Sequence, residues 1–318
     1  MPALLSLPNI IAHADWSASP SKRWLARAIQ TEPGRYVAQA PEKVGETESL
    51  LRRMQESAGT SEAFLLGFDF PIGMPIHYAR RCGIDDFLAV LPRLGQGEWG
   101  DFYQPASFPE QIKPQRPFYP QLPGQARQKH LLQGLDVQTM DDLRRQCERG
   151  YPGRRAAAPL FWTLGAQQVG KAAINGWRTI LAPAQAGANP LAIWPFSGRL
   201  EELFQAGQSV AAETYPGEVY HHLGVKFPAG SGKRTLAGRV TNAGVLIEWA
   251  NCSGVILTVE LETKIRAGFG PAPAAEDAFD AVIGLFGMLN VVLGYQSLGE
   301  PVSGEIRRVE GWIFGQQS

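Results

Sequence analysis

Apolar residues recur along the chain in two periods, and the change from one to the other marks out the elements. Three short apolar segments near the start, Ile10–Trp16, Arg23–Ile29 and Arg35–Ala40, are separated by Ser-Ala-Ser-Pro and Thr-Glu-Pro-Gly turn chemistry and predict an antiparallel meander. Leu50, Leu51 and Met54 stand at helical spacing within Glu46–Ser57, which predicts a helix. The unbroken apolar run Ala63–Asp69 then predicts a buried, parallel strand. Strands, a crossover helix and a further strand make a sheet that begins antiparallel and continues parallel, hence a mixed-sheet α/β fold.

The middle of the chain changes character. Pro105, Pro109, Pro114, Pro117, Pro120 and Pro123 run through an aromatic-rich stretch that neither a regular helix nor a central strand tolerates. Helical patterns follow at Asp136–Gly150 and Phe161–Trp177, so residues 99–180 read as an insertion, a Pro-rich loop with basic helices, inside a single domain spanning 1–318. The α/β pattern resumes with strands at Leu191–Trp194 and Ser209–Glu213, a short helix at Pro216–Leu223 and a longer one at Val240–Ala250. A β-like run at Val255–Glu260, a strong helix at Ala274–Leu293 and a closing strand at Arg307–Phe314 complete it.

Composition narrows the function classes. Thirty Lys/Arg balance thirty Asp/Glu over 318 residues, which excludes a globally basic nucleic-acid coat. The segment Lys113–Arg178 nevertheless holds eleven Lys/Arg against four Asp/Glu. That excess is either a solvated helical face or an electropositive insertion facing an anionic ligand. Cys82, Cys147 and Cys252 are widely spaced and form no CxxC pair, which points to a reducing, cytoplasmic setting without a disulfide scaffold or zinc cage. Ala12-His13-Ala14 resembles a leader-cleavage site, but no basic region precedes it and Pro8 and Asn9 interrupt the apolar run, so a first strand is expected there. Ala281–Tyr295, the most apolar later stretch, is shorter than the ~20 residues a membrane span needs, so it is expected as a buried helix and no membrane is expected as a partner.

Candidate chemistry lies in acidic residues placed where apolar elements end. Asp15 closes the strand Ile10-Ile-Ala-His-Ala-Asp, and Asp69 ends the most hydrophobic strand in the chain. Glu213 ends the strand before Tyr215-Pro216, where Pro216 suits a first helical turn. Asp277 and Asp280 share one face of an otherwise apolar helix. Taken singly, each has a structural role open to it as a turn or helix cap. Gathered together they would repel and lose hydration, a cost that protons, bases or Mg²⁺ or Mn²⁺ offset. Two such ions between carboxylate oxygens can activate water and stabilise the leaving oxygen of a phosphodiester.

The segments Ala14-Asp-Trp-Ser, Gly67-Phe-Asp-Phe-Pro-Ile-Gly-Met-Pro, Ala212-Glu-Thr-Tyr-Pro-Gly-Glu-Val-Tyr, Glu276-Asp-Ala-Phe-Asp-Ala and Glu310-Gly-Trp-Ile resemble, in order and over nearly the whole chain, the motifs of domain-of-unknown-function family 429. That family is regarded as RNase H-like nucleases. The resemblance implies an RNase H-like five-stranded mixed sheet flanked by helices and an acidic set of Asp15, Asp69, Asp277 and Asp280 holding one or two Mg²⁺ or Mn²⁺ ions, with Glu213 as a further site carboxylate. Lys233, Gly238 and Arg239 look like the family's basic element, which makes Lys233 a catalytic candidate and Arg239 a substrate-binding one. Where the family pattern carries His before the first Asp of the helix motif, this chain has Glu276.

Together these features lead to the expectation of a metal-dependent phosphodiesterase acting on nucleic acid or another phosphate ester. Arg154 and Arg155, in the basic middle segment, are expected at the nucleic-acid backbone. The alternatives are a non-catalytic binding or scaffold protein with the same core, and an actin-like phosphotransferase, which the glycine-free turn after Asp15 disfavours. Gly230-Ser-Gly-Lys-Arg is not a phosphate loop, because position 227 is Phe227 where the motif needs Gly. His221-His222 lacks a third imidazole nearby, and no Gly-x-Ser-x-Gly elbow is present.

Overall fold

A computed structural model describes residues 7–59, 62–124, 126–151, 154–165, 169–187, 190–272 and 274–317. The residues ahead of position 7, weighed above as part of a leader, lie outside the described residues. The chain divides into two compact units. The first comprises Met1–Asp69, Ala192–Gly299 and Ile313–Gln317, and the second Phe70–Leu191 and Glu300–Trp312. The expected insertion at 99–180 falls inside the second unit.

The first unit is an α/β structure built on one mixed sheet. Its strands are β1 (Ile10–Asp15), β2 (Trp24–Glu32), β3 (Arg35–Ala38), β4 (Glu42–Lys43), β5 (Phe64–Phe68), β6 (Ala192–Ile193), β7 (Val210–Glu213) and β8 (Ile256–Leu257). They lie in the order β6-β7-β5-β1-β2-β3-β8, with β4 paired to β2. β2 runs antiparallel to β1 and β3, whereas β1, β5 and β7 are parallel neighbours. The sheet has eight strands where the family resemblance implied five; β6 and β8 fall within the segments Leu191–Trp194 and Val255–Glu260 expected as extended, and only the two-residue β4 was too short to leave a period in the sequence. Every residue of β1, β5 and β7 is buried, which is why these strands are apolar apart from His13 and the closing acids Asp15 and Glu213.

Seven helices belong to this unit among the described residues: α1 (Leu50–Ala58), α2 (Leu200–Gln205), α3 (Pro216–His222), α4 (Leu236–Thr241), α5 (Ala243–Ser253), α6 (Val259–Arg266) and α7 (Ala275–Val292). α7 packs on β1 and β2 and is buried along most of its length. His13 of β1 fixes it there. Burial lowers the imidazole pKa to about 3, so the ring is neutral, and its Nδ1 donates to the Ala281 carbonyl at 3.1 Å. A methyl group at Gly284 would stand 2.2 Å from His13 Cε1, so glycine is required for the close approach. Gly284→Ala is therefore expected to destabilise the fold by about 1–3 kcal/mol through overpacking. Urea unfolding measures this, and an unchanged midpoint would contradict the packing described.

Several expected elements differ. Val240–Ala250 belongs to two helices, α4 and α5, separated at Asn242, whose side chain bonds to the backbone of Lys226 and Gly238. In Val255–Glu260 only β8 is extended, because Thr258 Oγ1 accepts from Leu261 N and starts α6. The predicted strand Arg307–Phe314 is instead a helix, Gly304–Val309, capped by Ser303, followed by a single bridge from Ile313 to Glu213.

In the second unit, Asp136–Gly150 is not a helix. It forms two 3₁₀ turns, Met140–Leu143 and Gln146–Glu148, the first closed by Asp142, which accepts from Thr139 N at 2.7 Å. The expected helix at Phe161–Trp177 is observed only at Val169–Gly176 and continues into a π-helical turn, Trp177–Leu181, while residues 166–168 lie outside the described residues. Phe102, Phe118, Phe161 and Trp177 form a buried aromatic core. Beside this core, Arg145 pairs with Glu148 at 2.8 Å and donates to the carbonyls of Ile72 and Glu310. The Glu310 carboxylate accepts from Ile76 N at 2.9 Å and Gln146 N at 2.6 Å, which makes this residue of the last motif a structural clamp. No helix among the described residues is long and apolar enough to cross a membrane.

Candidate functional site

Strand register brings three of the acids to one edge of the sheet. Asp69 follows β5 and its N–H donates to the Ala14 carbonyl, beside Asp15 at the end of β1. Phe68 pairs with Glu213 at the end of β7. The three strands are parallel, so Asp15, Asp69 and Glu213 all stand at carboxyl ends. β2 and β3 extend the sheet on one side of β1, and β5 and β7 extend it on the other. The boundary between β1 and β5 is therefore a topological switch point, where open α/β sheets place their ligands. The turn after Asp15 is held by Arg23, whose guanidinium donates to Ser17 O, Ala18 O and Thr47 Oγ1 and lies 4.3 Å over the Trp16 ring.

Asp280 enters from α7, one turn after Asp277. Its two carboxylate oxygens are both engaged, one by the Tyr220 hydroxyl and the other by the Lys233 ammonium. Tyr220 comes from α3, which Pro216 opens directly after β7, and its ring packs against Phe227 and Phe279. Tyr220 was not singled out in the sequence, although it closes the Ala212–Tyr220 motif. The signal was its position seven residues beyond Glu213, on a helix that starts at that strand end.

The cluster is buried and negative. Asp15 is 9% exposed, Glu213 4% and Asp280 3%. Burial pushes the Asp15 carboxyl well above the ordinary carboxylate range, and Asp280, Asp69 and Asp277 add to this while Lys233 opposes it. Burial and the Asp280 charge raise Asp69 to about 7, with Lys233 opposing and Glu213 adding. Asp280 is raised by burial against the opposing Lys233 and Tyr220, and Asp277 by burial and the adjacent Glu276. Burial alone would lower the Lys233 ammonium, but Asp280, Asp69 and Asp15 outweigh it and hold the amine charged. Burial and Asp280 push the Tyr220 phenol far up, so it remains a donor.

These shifts set a pH dependence. The folded cluster holds its protons more tightly than the unfolded chain, whose carboxyls ionise near pH ~4. Through Asp69 the metal-free protein should therefore lose stability as pH rises from about 4 to about 7. Thermal unfolding at the two ends of this range, with Asp69→Asn for comparison, measures the effect. An Asp69→Asn slope equal to that of the wild type would contradict it.

The remaining expected residues divide. Arg239 was expected at the substrate, but it is 2% exposed and donates to the carbonyls of Gly268, Lys233 and Gly270. Its guanidinium is spent on holding the loop that carries Lys233, so the structure gives it a positioning role. Arg154 and Arg155 lie in the second unit, where Arg154 donates to the Arg149 carbonyl and sits 5.6 Å from the Tyr151 ring centre. Among the described residues, no three His, Cys, Asp or Glu side chains stand as a ready metal-ligand set. The donor chemistry of the cluster, hard carboxylate oxygens in surplus over the ammonium groups of Lys233 and, at Asp277, Lys22, nevertheless suits a hard divalent cation. No family model, curated protein or solved structure matches the chain.

Proposed function

We propose that the chain is a metal-dependent phosphodiesterase of RNase H-like architecture that acts on nucleic acid at the cluster of Asp15, Asp69, Asp277 and Asp280. One observation carries this reading. Buried acids from β1, the end of β5 and α7 converge strongly enough to raise one another's pKa, and the cation among them is Lys233. The strand order β7-β5-β1-β2-β3, with β2 antiparallel to its neighbours, and the placement of the acids on it support the RNase H-like assignment.

In this reading Asp15, Asp69, Asp277 and Asp280 would hold one or two Mg²⁺ or Mn²⁺ ions, and Glu213 would orient or deprotonate the attacking water. A bound divalent cation supplies charge neutralisation at the phosphate and a more acidic water. Tyr220 fixes the Asp280 carboxylate by donating to one oxygen. The other oxygen is paired with Lys233, so a bound cation would compete with this ammonium for the Asp280 carboxylate. The Lys233 side chain is 41% exposed and flexible, and once released it is a cation for the phosphate. Lys233→Ala should thus bind Mn²⁺ about tenfold more tightly, since its rival is gone, while cleaving about 10–100-fold more slowly. Parallel titration and kinetics measure the two effects, and weaker Mn²⁺ binding in the variant would contradict the exchange.

The test of function is cleavage of single-stranded and duplex DNA, RNA and a four-way junction in Mn²⁺ or Mg²⁺, with Asp69→Asn as the control. Cation-dependent cleavage lost in Asp69→Asn supports the reading. A folded wild type that cleaves none of these substrates overturns it.

A further inference from the structure

The first turn of α7 carries Glu276 and Asp277, and each of these acids meets an exposed cation from a different loop of the first unit. Lys22 ends the 3₁₀ turn Pro20–Lys22 between β1 and β2, and its charge opposes the rise of the Asp277 pKa. Arg234, in the loop ahead of α4, brings its Nε within 3.5 Å of Glu276 Oε2 with 71% of its side chain exposed. Among the described residues neither cation donates a side-chain hydrogen bond, and Glu276 Oε2 accepts none. An exposed contact of this kind is weak and readily exchanged. Consecutive residues of a helix point about 100° apart around its axis. Lys22 and Arg234 therefore reach the rim of the carboxylate cluster from different sides, outside the buried Asp280 that Lys233 engages.

We propose that Lys22 and Arg234 bind the phosphates on either side of the scissile one, so that the substrate is a polynucleotide strand and not a small phosphate ester. This rests on the hydrolytic reading of the carboxylate cluster. A small ester brings a single anionic phosphate, for which Lys233 and a bound cation suffice. A strand brings a phosphate at every nucleotide, and these match cations held outside the cluster on separate loops. Arg234 exchanges its Glu276 contact for a phosphate, to which its planar fork can donate two hydrogen bonds, while Lys22 acts as a point charge. Both also offset the field of the acids, which would otherwise repel a polyanion. Contacts of this type fix the register of the strand and carry no sequence information.

Fluorescence anisotropy of the full chain with a labelled single-stranded DNA oligonucleotide, in Ca²⁺ and with the oligonucleotide checked for integrity, tests the proposal. Hydrolysis of bis(4-nitrophenyl) phosphate in Mn²⁺ separately tests the reading on which it rests. The double variant Lys22→Gln/Arg234→Gln should bind the oligonucleotide about tenfold or more weakly, and the slope of log Kd against log salt should fall by about 0.7 for each cation removed. Its loss on the oligonucleotide should exceed its loss on the small ester. Lys264→Gln, which removes an exposed lysine of α6 paired with Glu260, should bind like the wild type. Wild-type affinity or salt slope in the double variant, an equal loss on both substrates, or an equal loss in Lys264→Gln would overturn the proposal. A wild type that hydrolyses the small ester without binding the oligonucleotide overturns this inference alone. One that binds as expected and hydrolyses nothing overturns the reading of the cluster and leaves the strand surface standing.

Discussion

Asp15→Asn should lower divalent-cation-dependent phosphodiester cleavage by about a thousandfold or more, a loss of roughly 4 kcal/mol of transition-state stabilisation. Asp15 ends the strand at the centre of the sheet and is the residue on which Asp280, Asp69, Asp277 and Lys233 all act. Asn keeps the shape and one oxygen but removes the charge that would face a metal ion. The same change should leave the metal-free fold intact or slightly firmer at neutral pH. Burial and three neighbouring carboxylates already disfavour the ionised group, so its neutral isostere relieves a cost. Steady-state kinetics together with thermal unfolding separate the two effects. A loss of less than about tenfold in a folded variant would place Asp15 away from the reacting centre.

The largest effect on stability is expected in the second unit, at Arg145→Met. Arg145 is fully buried, and the substitution takes the paired cation from the Glu148 carboxylate and the Arg145 donor from the carbonyls of Ile72 and Glu310. Removing one member of a buried pair costs about 3–5 kcal/mol, because the charge left behind has lost its counter-charge in a low-dielectric site. Pairing the change with Glu148→Leu should recover a large part of that loss, since well-packed apolar residues can replace a buried ion pair at little cost. Chemical unfolding of the single and double variants measures both. A single variant within about 1 kcal/mol of the wild type would show that the pair contributes little.

The centre of the fold was legible because buried parallel strands leave a strong trace. β5 and β7 are apolar up to the acid that follows or ends them, and β1 is apolar apart from His13, so both the strands and the candidate acids Asp15, Asp69 and Glu213 stand out. The i, i+3 acids of α7 stand out against its apolar face for the same reason. What the sequence hid is tertiary. Nothing local says that Tyr220 and Lys233 meet on Asp280, or that Arg239 faces three carbonyls and not the substrate. Local hydrogen bonding also overrode periodicity, at Asp142 in the stretch expected as a helix and at Ser303 ahead of the expected last strand.

The charge pattern was legible only in part. The basic excess of Lys113–Arg178 is partly internal, because Arg145 is buried on Glu148 and Arg144 binds Asp141 and the Ala157 carbonyl. Arg116 likewise donates to the carbonyls of Gln104 and Pro105. A count of charges along the chain cannot separate such inward-facing guanidinium groups from those, like Arg155, that remain exposed.

The most direct test of the central claim is calorimetric titration of Mn²⁺ into the wild-type chain and into Asp15→Asn, because it probes the carboxylate cluster without requiring the substrate. Saturable binding in the micromolar range by the wild type, lost in a folded Asp15→Asn, is the predicted result. Absence of saturable binding to the wild type, or equal binding by both proteins, would contradict a divalent-cation site at Asp15, Asp69, Asp277 and Asp280.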